Sequence, residues 1–419
     1  MMKESITYPM NAIQWETYEE WNQDRAMTEY NTTVASDLPR EKVSADVLSA
    51  ACQQVLDSQR YLHAHLVETD GEVRICEDWA MQNLVRRYTM TDVAWDKGKE
   101  ELIQPFDLFH EPSVRLHVVD TETRTILIVE THHLLFDGIS HKAVWSAIED
   151  VLCGKEPYQQ DDLAANFNRR EIAAYDSEPY RRAQSYYQDN FGHGNFTDIC
   201  REDCSAWGKT LVARPHFPAS VIDEGCKRLG VSFAVVFNAA YALALGEMAG
   251  EKESVAFYNI SHGRDRHLNN LVYGNFLSCL PIIIDIRSEQ TIGELIAKTK
   301  LQMFTSMRNK VYPLHHLLRD LDLEDVGTEM SPQGAYIYEY FHVDGTEYPT
   351  YHIETNLSLQ HLSTCVLIRD KEYEVALDGS SGLYTQAQID ELSQITGDMA
   401  LLLVDDQERK LNEIIPSKK

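Results

Sequence analysis

The stretch Thr131-His-His-Leu-Leu-Phe-Asp-Gly-Ile-Ser140 gathers two histidines, an aspartate and a glycine into one short segment. An imidazole with an unperturbed pKa of about 6.5 can take or give a proton near neutral pH. An aspartate four residues on adds a charge or a hydrogen-bond acceptor. This is equipment for general-base chemistry, and His133 is the expected base. His132 is expected to be a packed, hydrogen-bonded histidine. Neighbouring histidines on a strand end point to opposite faces, so no shared metal ion is expected. Ser140 lacks the Gly-x-Ser-x-Gly setting of a nucleophile and is expected to cap the helix that follows.

Elements on both sides must hold such a segment. Thr125-Ile-Leu-Ile-Val-Glu130 is an apolar, β-branched run that predicts a buried strand. Val114–Val119 predicts its hairpin partner, with 120–124 as the turn. Lys142–Cys153 carries Val144, Ile148 and Leu152 on one helical face. The motif therefore falls on a strand-to-helix turn, which presents side chains from a backbone fixed at both ends.

Further elements are predicted along the chain. A helix follows Pro9 as far as Trp21, Met27–Ser36 is extended, and Arg40–Asp57 is a helix with Val43, Val47, Ala51 and Val55 as its stripe. Leu62–Val67 and Glu72–Cys76 predict a hairpin around Asp70-Gly71. From Lys155 to Trp207 the pattern weakens, with one helix at Glu178–Asn190 and the interdomain connection in its later part. Beyond Val212 helices are expected at Ala219–Leu229, Phe233–Gly250, Ile292–Met307 and Thr385–Leu403. Strands are expected at Ser254–Tyr258, Leu280–Ile286, Ala335–Tyr340 and His361–Ile368. Strands in series with helices alongside predict an α/β (α+β layers) fold in both halves.

At 419 residues, two domains of roughly 200 residues each are the natural expectation. The 38 basic and 66 acidic residues give a net charge of −28, which argues against a nucleic-acid surface. Eight scattered cysteines include one close pair, Cys200 and Cys204, and complete no zinc pattern, so free thiols in a reducing compartment are expected. No run of 18 apolar residues occurs, so no membrane span is expected. The start, Met1-Met-Lys-Glu-Ser, lacks the apolar core of a secretory signal, and a cytoplasmic protein is expected.

His132-His133-Leu-Leu-Phe-Asp137-Gly138 resembles the His-His-x-x-x-Asp-Gly signature of the condensation domains of nonribosomal peptide synthetases, in the chloramphenicol acetyltransferase-like superfamily. Other segments run in the family's order. They are Tyr8-Pro-Met-Asn-Ala-Ile-Gln14, Pro105-Phe-Asp-Leu108 with Pro112 and Arg115, Gly230-Val-Ser232, Ser261-His-Gly-Arg264, Tyr273-Gly-Asn-Phe276 with Leu280-Pro281, and Tyr312-Pro313. The resemblance covers about Tyr8 to Leu403. Departures occur where Leu62-His63-Ala64 replaces the usual Leu-Arg-Thr, and Phe276-Leu-Ser-Cys279 replaces Phe-Val-Asn-Thr. A later family arginine falls on Ile283.

The resemblance implies two acetyltransferase-like lobes, 1–195 and 196–419, as a V-shaped pseudo-dimer with the active site in an interlobe tunnel. It implies an acyltransferase that joins a carrier-bound acyl or peptidyl thioester to an amine. His133 would be base or amine-positioning residue, Asp137 would pair with an arginine, and the Gly138 amide is a candidate donor to the oxyanion. His132 completes the implied catalytic set. Tyr273, Asn275 and Phe276 either line the tunnel as substrate-binding residues or form a strand crossing between lobes. Arg115 and Arg264 are the candidate partners of Asp137, and Gly263-Arg264 is read as a tight turn with a structural arginine. His315 and His316 are expected to begin a surface or interface helix. The aromatics Tyr336, Tyr338, Tyr340 and Phe341 are expected in strand core, with an acceptor pocket as the other possibility.

No cofactor would bind directly, because phosphopantetheine arrives on acyl-loaded and aminoacyl-loaded peptidyl carrier proteins. A free amine is a further possible acceptor. A monomer acting in trans is expected, since no adenylation or carrier domain is recognised between the short lead and Lys418-Lys419. The other implied readings are an ester-forming O-acyltransferase and a non-catalytic platform that recruits carriers.

Overall fold

The unbroken apolar run after Arg124 forms a strand buried along its whole length from Thr125 to His132. The computed structural model describes residues 5–191, 196–200, 208–264, 268–323, 328–331, 339–353, 362–369 and 371–414. By internal contacts the chain falls into two compact units. The first comprises Met1–Ala173, His262–Leu277 and Ala335–Thr355, and the second comprises Ala174–Ser261, Ser278–Gly334 and Asn356–Lys419.

The chain begins β1 (Ile6–Tyr8), α1 (Ala12–Gln23), β2 (Asn31–Pro39), α2 (Ala45–Ser58), β3 (Ala64–Thr69) and β4 (Glu72–Glu77). It continues β5 (Arg86–Thr89), α3 (Asp92–Gly98), β6 (Val114–Asp120), β7 (Arg124–His132), α4 (Gly138–Leu152) and α5 (Leu163–Ala174). The second unit then opens with α6 (Glu178–Phe191), β8 (Thr210–Ala213), β9 (His216–Pro218), α7 (Ala219–Leu229), α8 (Phe233–Ala249) and β10 (Ser254–Ser261). After the excursion 262–277 come β11 (Ser278–Asp285), α9 (Ile292–Arg308), α10 (Leu314–Leu321) and β12 (Thr328–Ser331). The hairpin β13 (Tyr340–Val343) and β14 (Thr346–His352) belongs to the first unit, and β15 (Leu362–Arg369), β16 (Glu372–Ser380) and α11 (Gln386–Leu403) complete the second.

In the first unit the main sheet has the order β13-β14-β2-β7-β6-β5, antiparallel except where β5 joins β6. Its register sets Asn31 and Val114 beside His132 and Thr131 of β7 respectively. The helix α4 packs on β7 and on β13, where Trp145 meets Phe341 edge to face at 5.1 Å. Glu149 of α4 also accepts from the His342 backbone N–H at 2.5 Å, so the hairpin grips the helix by both an apolar and a polar contact. A smaller sheet has the order β1-β4-β3, and the expected turn between β3 and β4 holds Asp70 and Gly71 at φ of 55° and 77°.

In the second unit a sheet of order β11-β10-β12-β15-β16-β8 also takes β9 alongside β16. The helix α8 is buried on all sides from Ala234 to Gly246, as a helix apolar around its whole circumference must be. Among the described residues no single helix is long and apolar enough to cross a membrane. The seven described cysteines are free thiols, and Cys204 lies outside the described residues.

The α/β layering stands as expected, with differences in detail. Val47 is 56% exposed, and the buried face of α2 is Leu48, Cys52, Val55 and Leu56. A strict spacing of four drifts off a helix of 3.6 residues per turn. The weak stretch after Lys155 contains α5 as well as α6, because α5 buries only Ala164, Ala165 and Asn168 and has no apolar stripe to betray it. Of the strand expected at 335–340, residues 335–338 lie outside the described set, as do Tyr336 and Tyr338. Phe341 is core, whereas Tyr340 is 45% exposed. Truncating Phe341 to Ala should cost about 3–5 kcal/mol by opening a cavity over Trp145. Denaturant unfolding followed by tryptophan fluorescence measures it, and an unchanged midpoint would mean that the hairpin does not secure α4.

Candidate functional site

Several backbone groups of the turn after β7 are tied down by partners outside it. The His133 N–H donates to Tyr30 O at 2.7 Å, and the Asn275 side-chain amide donates to His133 O at 2.7 Å. Tyr61 Oη donates to Leu135 O at 2.6 Å, and the Asp137 N–H donates to Gly274 O at 3.2 Å. The turn is thus held by the chain entering β2, by Tyr61 just before β3 and by the segment 273–275.

Asp137 is the N-cap of α4, accepting from Ser140 N at 2.7 Å. Ser140 is therefore not the cap that its hydroxyl suggested; it lies in the first turn of the helix. Its Oγ donates to Gly274 O and accepts from Gly274 N at 2.9 Å and from Arg264 Nη2 at 2.8 Å. Arg264 Nη2 also reaches both carboxylate oxygens of Asp137, at 2.8 and 3.1 Å, and the two side chains are 2% and 1% exposed. Its Nη1 donates to Asn269 O and Val272 O, and its guanidinium lies 4.7 Å from the Phe276 ring.

Of the two candidate arginines, Arg264 is the partner. Arg115 faces Glu130 across the β6–β7 register, bonds it at 3.3 Å and is occupied there. The approach of Arg264 depends on Gly263, whose φ is +62° and where a Cβ would sit 1.5 Å from Phe276 O.

The histidines differ sharply. His132 is fully buried, and its Nδ1 accepts from Leu134 N at 3.2 Å. Its ring meets Phe106 and Trp21 edge to face at 5.6 and 6.2 Å. Burial, reinforced by the charges at His133 and Arg115, lowers its pKa to about 3. His141, a residue the sequence did not single out, is also buried. Its Nε2 accepts from Trp145 Nε1 at 3.2 Å, which leaves Nδ1 protonated to donate to Thr131 Oγ1 at 3.0 Å. Burial lowers its pKa to about 3 as well.

His133 keeps part of its surface in contact with solvent. The surrounding protein still lowers its pKa through burial, against smaller opposing effects of a backbone hydrogen bond and the Asp137 charge. It is held as the neutral imidazole at neutral pH.

The segment expected to line a tunnel is, in its own unit, fully packed. Tyr273, Asn275 and Phe276 are 1%, 1% and 0% exposed. Tyr273 exchanges backbone bonds with the Gln160 side chain and stacks on Tyr61 at 6.5 Å, while Asn275 O accepts from Asn11 Nδ2 at 2.9 Å. Asn11, Tyr61, His141 and Gln160 escaped the reading of the sequence. For His141 a signal existed, since polar residues on the buried face of a helix need partners. Among the described residues no group of three or more His, Cys, Asp or Glu is placed to hold a metal ion.

The sequence profile of the condensation domain matches residues 4–413. The chain belongs to the condensation domain family. This condensation domain is 21% identical over 327 residues to surfactin synthase subunit 2 of Bacillus subtilis (strain 168), covering 75% of the chain and 9% of that protein. It is 23% identical over 234 residues to gramicidin S synthase 2 of Brevibacillus brevis, covering 54% of the chain and 5% of that protein. The condensation domain thus spans under a tenth of either relative's length. Its fold is that of the starter condensation domain of rhizomide synthetase solved with C8-CoA and Leu-SNAC, at a TM-score of 0.79, 15% identity and coverage of 97% and 96% of the two chains. The X-domain from teicoplanin biosynthesis is similar at a TM-score of 0.78, 16% identity and 96% coverage of each chain.

Two outcomes follow for the condensation domain. Arg264→Ala, which strands the buried Asp137 carboxylate, should cost about 3–5 kcal/mol in urea unfolding, and adding Asp137→Asn should recover part of it. No recovery would mean that the charge pair is not what holds the loop. The second concerns pH. His132 and His141 stay neutral when folded but protonate near 6.5 when unfolded, so the stability they contribute is present above pH 6.5 and is lost as pH falls toward 3. Between pH 7 and 5, above the carboxylate range, unfolding free energy should fall by up to about 1.4 kcal/mol per pH unit per histidine. A flat profile there would show that they are not buried neutral.

Proposed function

We propose that this condensation domain forms an amide between an acyl or peptidyl thioester, delivered on the phosphopantetheine arm of a carrier protein, and the amine of a second, carrier-bound or free acceptor. One observation carries the reading. Of the four titratable side chains at the motif, His132, Asp137 and His141 are sealed in the interior with their hydrogen bonds directed inward, and His133 alone retains solvent contact.

In the proposed reaction the amine nitrogen attacks the thioester carbonyl, a C–N bond forms and the C–S bond breaks. The proton lost by nitrogen is taken by neutral His133 and passes to the departing sulfur, which leaves as a thiol. The burial-lowered pKa suits a base that must be neutral before it acts. The thioester is already activated, so most of the rate enhancement comes from holding amine and carbonyl in line. The Gly138 N–H, at the first position of α4, is the candidate donor to the developing oxyanion. Asp137, Ser140, Arg264 and Asn275 act as positioning residues that fix the turn. His132 packs behind it, and the assignment extends to two acetyltransferase-like lobes, 1–195 and 196–419.

The test is turnover with acyl-loaded and aminoacyl-loaded carriers, and with an acyl-CoA and a soluble aminoacyl thioester in their place. Amide should form, should fall about 10²–10⁴-fold in His133→Ala, and should lose rate on the acid side only below about pH 6.5. Ester as the product would make the protein an O-acyltransferase. Carrier binding without turnover would make it a recruiting platform.

A further inference from the structure

Alternate residues of a strand face the same side of its sheet, so Ile126, Ile128, Glu130 and His132 of β7 form one buried row. The two isoleucines belong to an apolar cluster with Trp95 and Ile103, and His132 lies against Trp21 and Phe106. Between them stands Glu130, a carboxylate with 0% exposure. A third isoleucine there would continue the row and spare the sheet a desolvated charge. The fold alone gives no reason for the acid.

The neighbouring strands supply its partners. Arg115 of β6 lies directly opposite Glu130, and Asn31 of β2 lies opposite His132 on the same face. Asn31 Nδ2 donates to Glu130 Oε1 at 2.7 Å, and His117 Nε2 donates to Oε2 at 2.9 Å. Arg115 Nη1 reaches the two oxygens at 3.3 and 3.4 Å. Neutralising this arginine does not account for Glu130, because the partly exposed Glu111 already pairs with its Nε at 3.1 Å.

What the carboxylate does is orient donors that it shares with a second target. Arg115 Nη1 and Asn31 Nδ2 also donate to Gln104 O, at 2.6 and 3.0 Å, and Arg115 Nη2 donates to Pro105 O at 2.7 Å. The next residue, Phe106, lies 3.7 Å from the Arg115 guanidinium and meets the His132 ring edge to face. His132 in turn accepts from Leu134 N, so the chain of contacts ends on the residues flanking His133.

We infer that Glu130 is a positioning residue for the reaction: through Arg115 and Asn31 it fixes the 104–106 connection against His132, and through His132 the backbone that carries His133. The assignment rests on the amide-forming role proposed for His133 above.

Arg115→Met/Glu130→Leu replaces the buried pair with apolar side chains, a change that is often neutral for stability. Amide formation from a soluble acyl thioester should then lose about 10- to 100-fold in kcat with KM unchanged, as expected for a displacement of up to about 1 Å at the reacting groups. Asn31→Ala, which removes only the link from β2, should show the same split at smaller size. Glu130→Gln keeps an acceptor for both donors and should retain most of the wild-type kcat. Histidine-selective nitrogen NMR reads the His132 ring without turnover. Because Nδ1 accepts from Leu134 N, the wild-type ring should be a single tautomer protonated at Nε2, as should the ring in Glu130→Gln. The double variant should show a mixed or broadened ring.

An unchanged kcat in the folded double variant overturns the proposal. So does an undisturbed His132 ring, a loss confined to KM, or a loss that Glu130→Gln shares in full. If the double variant does not fold, Asn31→Ala and Glu130→Gln decide on the same readouts. If the wild type makes no amide, the condensation reading falls and the ring alone decides: disturbed, it keeps the hold of Glu130 on the turn, and undisturbed, it removes that as well.

Discussion

Removing a carboxylate from water is costly unless a cation and several donors meet it, and Asp137 is met in full. It caps α4, pairs with Arg264 and accepts from the Phe276 N–H at 3.3 Å. The arginine in turn binds the carbonyls of Asn269 and Val272, so one guanidinium fastens the motif turn to a segment more than a hundred residues later in the chain. Placement of the Ser140 hydroxyl, the Gly274 backbone and the Asn275 amide follows from that pairing. The orientation of the His133 carbonyl depends on it in turn. The aspartate shapes the turn.

Two histidines kept neutral by burial flank one that reaches solvent. A protonated His132 or His141 would place a cation within the packing of Trp21 and Phe106 or of Trp145, close to His133. Their low pKa values keep the local field constant across the range in which His133 would titrate. The aromatic cage therefore acts electrostatically as well as sterically.

Much of this was legible in the sequence because it is local. The switch from a β-branched run to a helical stripe located the turn, and Asp70-Gly71 announced its hairpin. What was not legible depended on distant partners. Ser140 and Asp137 both have cap chemistry, and only the segment 272–274 decides which of them caps. Arg115 and Arg264 were equal on paper until the β6–β7 register set Arg115 opposite Glu130. In α2 the stripe through Val47 missed the buried Leu48 by one position, since side-chain facing drifts with each turn. The edge strand β13 is only four residues long, and β14 beside it is mostly polar with a proline, so neither carries a run that marks a strand in the sequence. The acetyltransferase-like character of each lobe was a matter of family resemblance from the start.

The first unit draws on three separate stretches of chain, the last of which ends near Thr355. During synthesis the motif emerges early, yet the arginine that neutralises Asp137 arrives over a hundred residues later, and the hairpin that grips α4 later still. Until then the nascent turn would hold an uncompensated acid at a helix start beside unburied aromatic surface. The unit can reach its final state only after its third stretch has left the ribosome. Its assembly therefore waits on residues far from the motif, and an excised N-terminal half would be expected to emerge as a chaperone client rather than as a folded lobe.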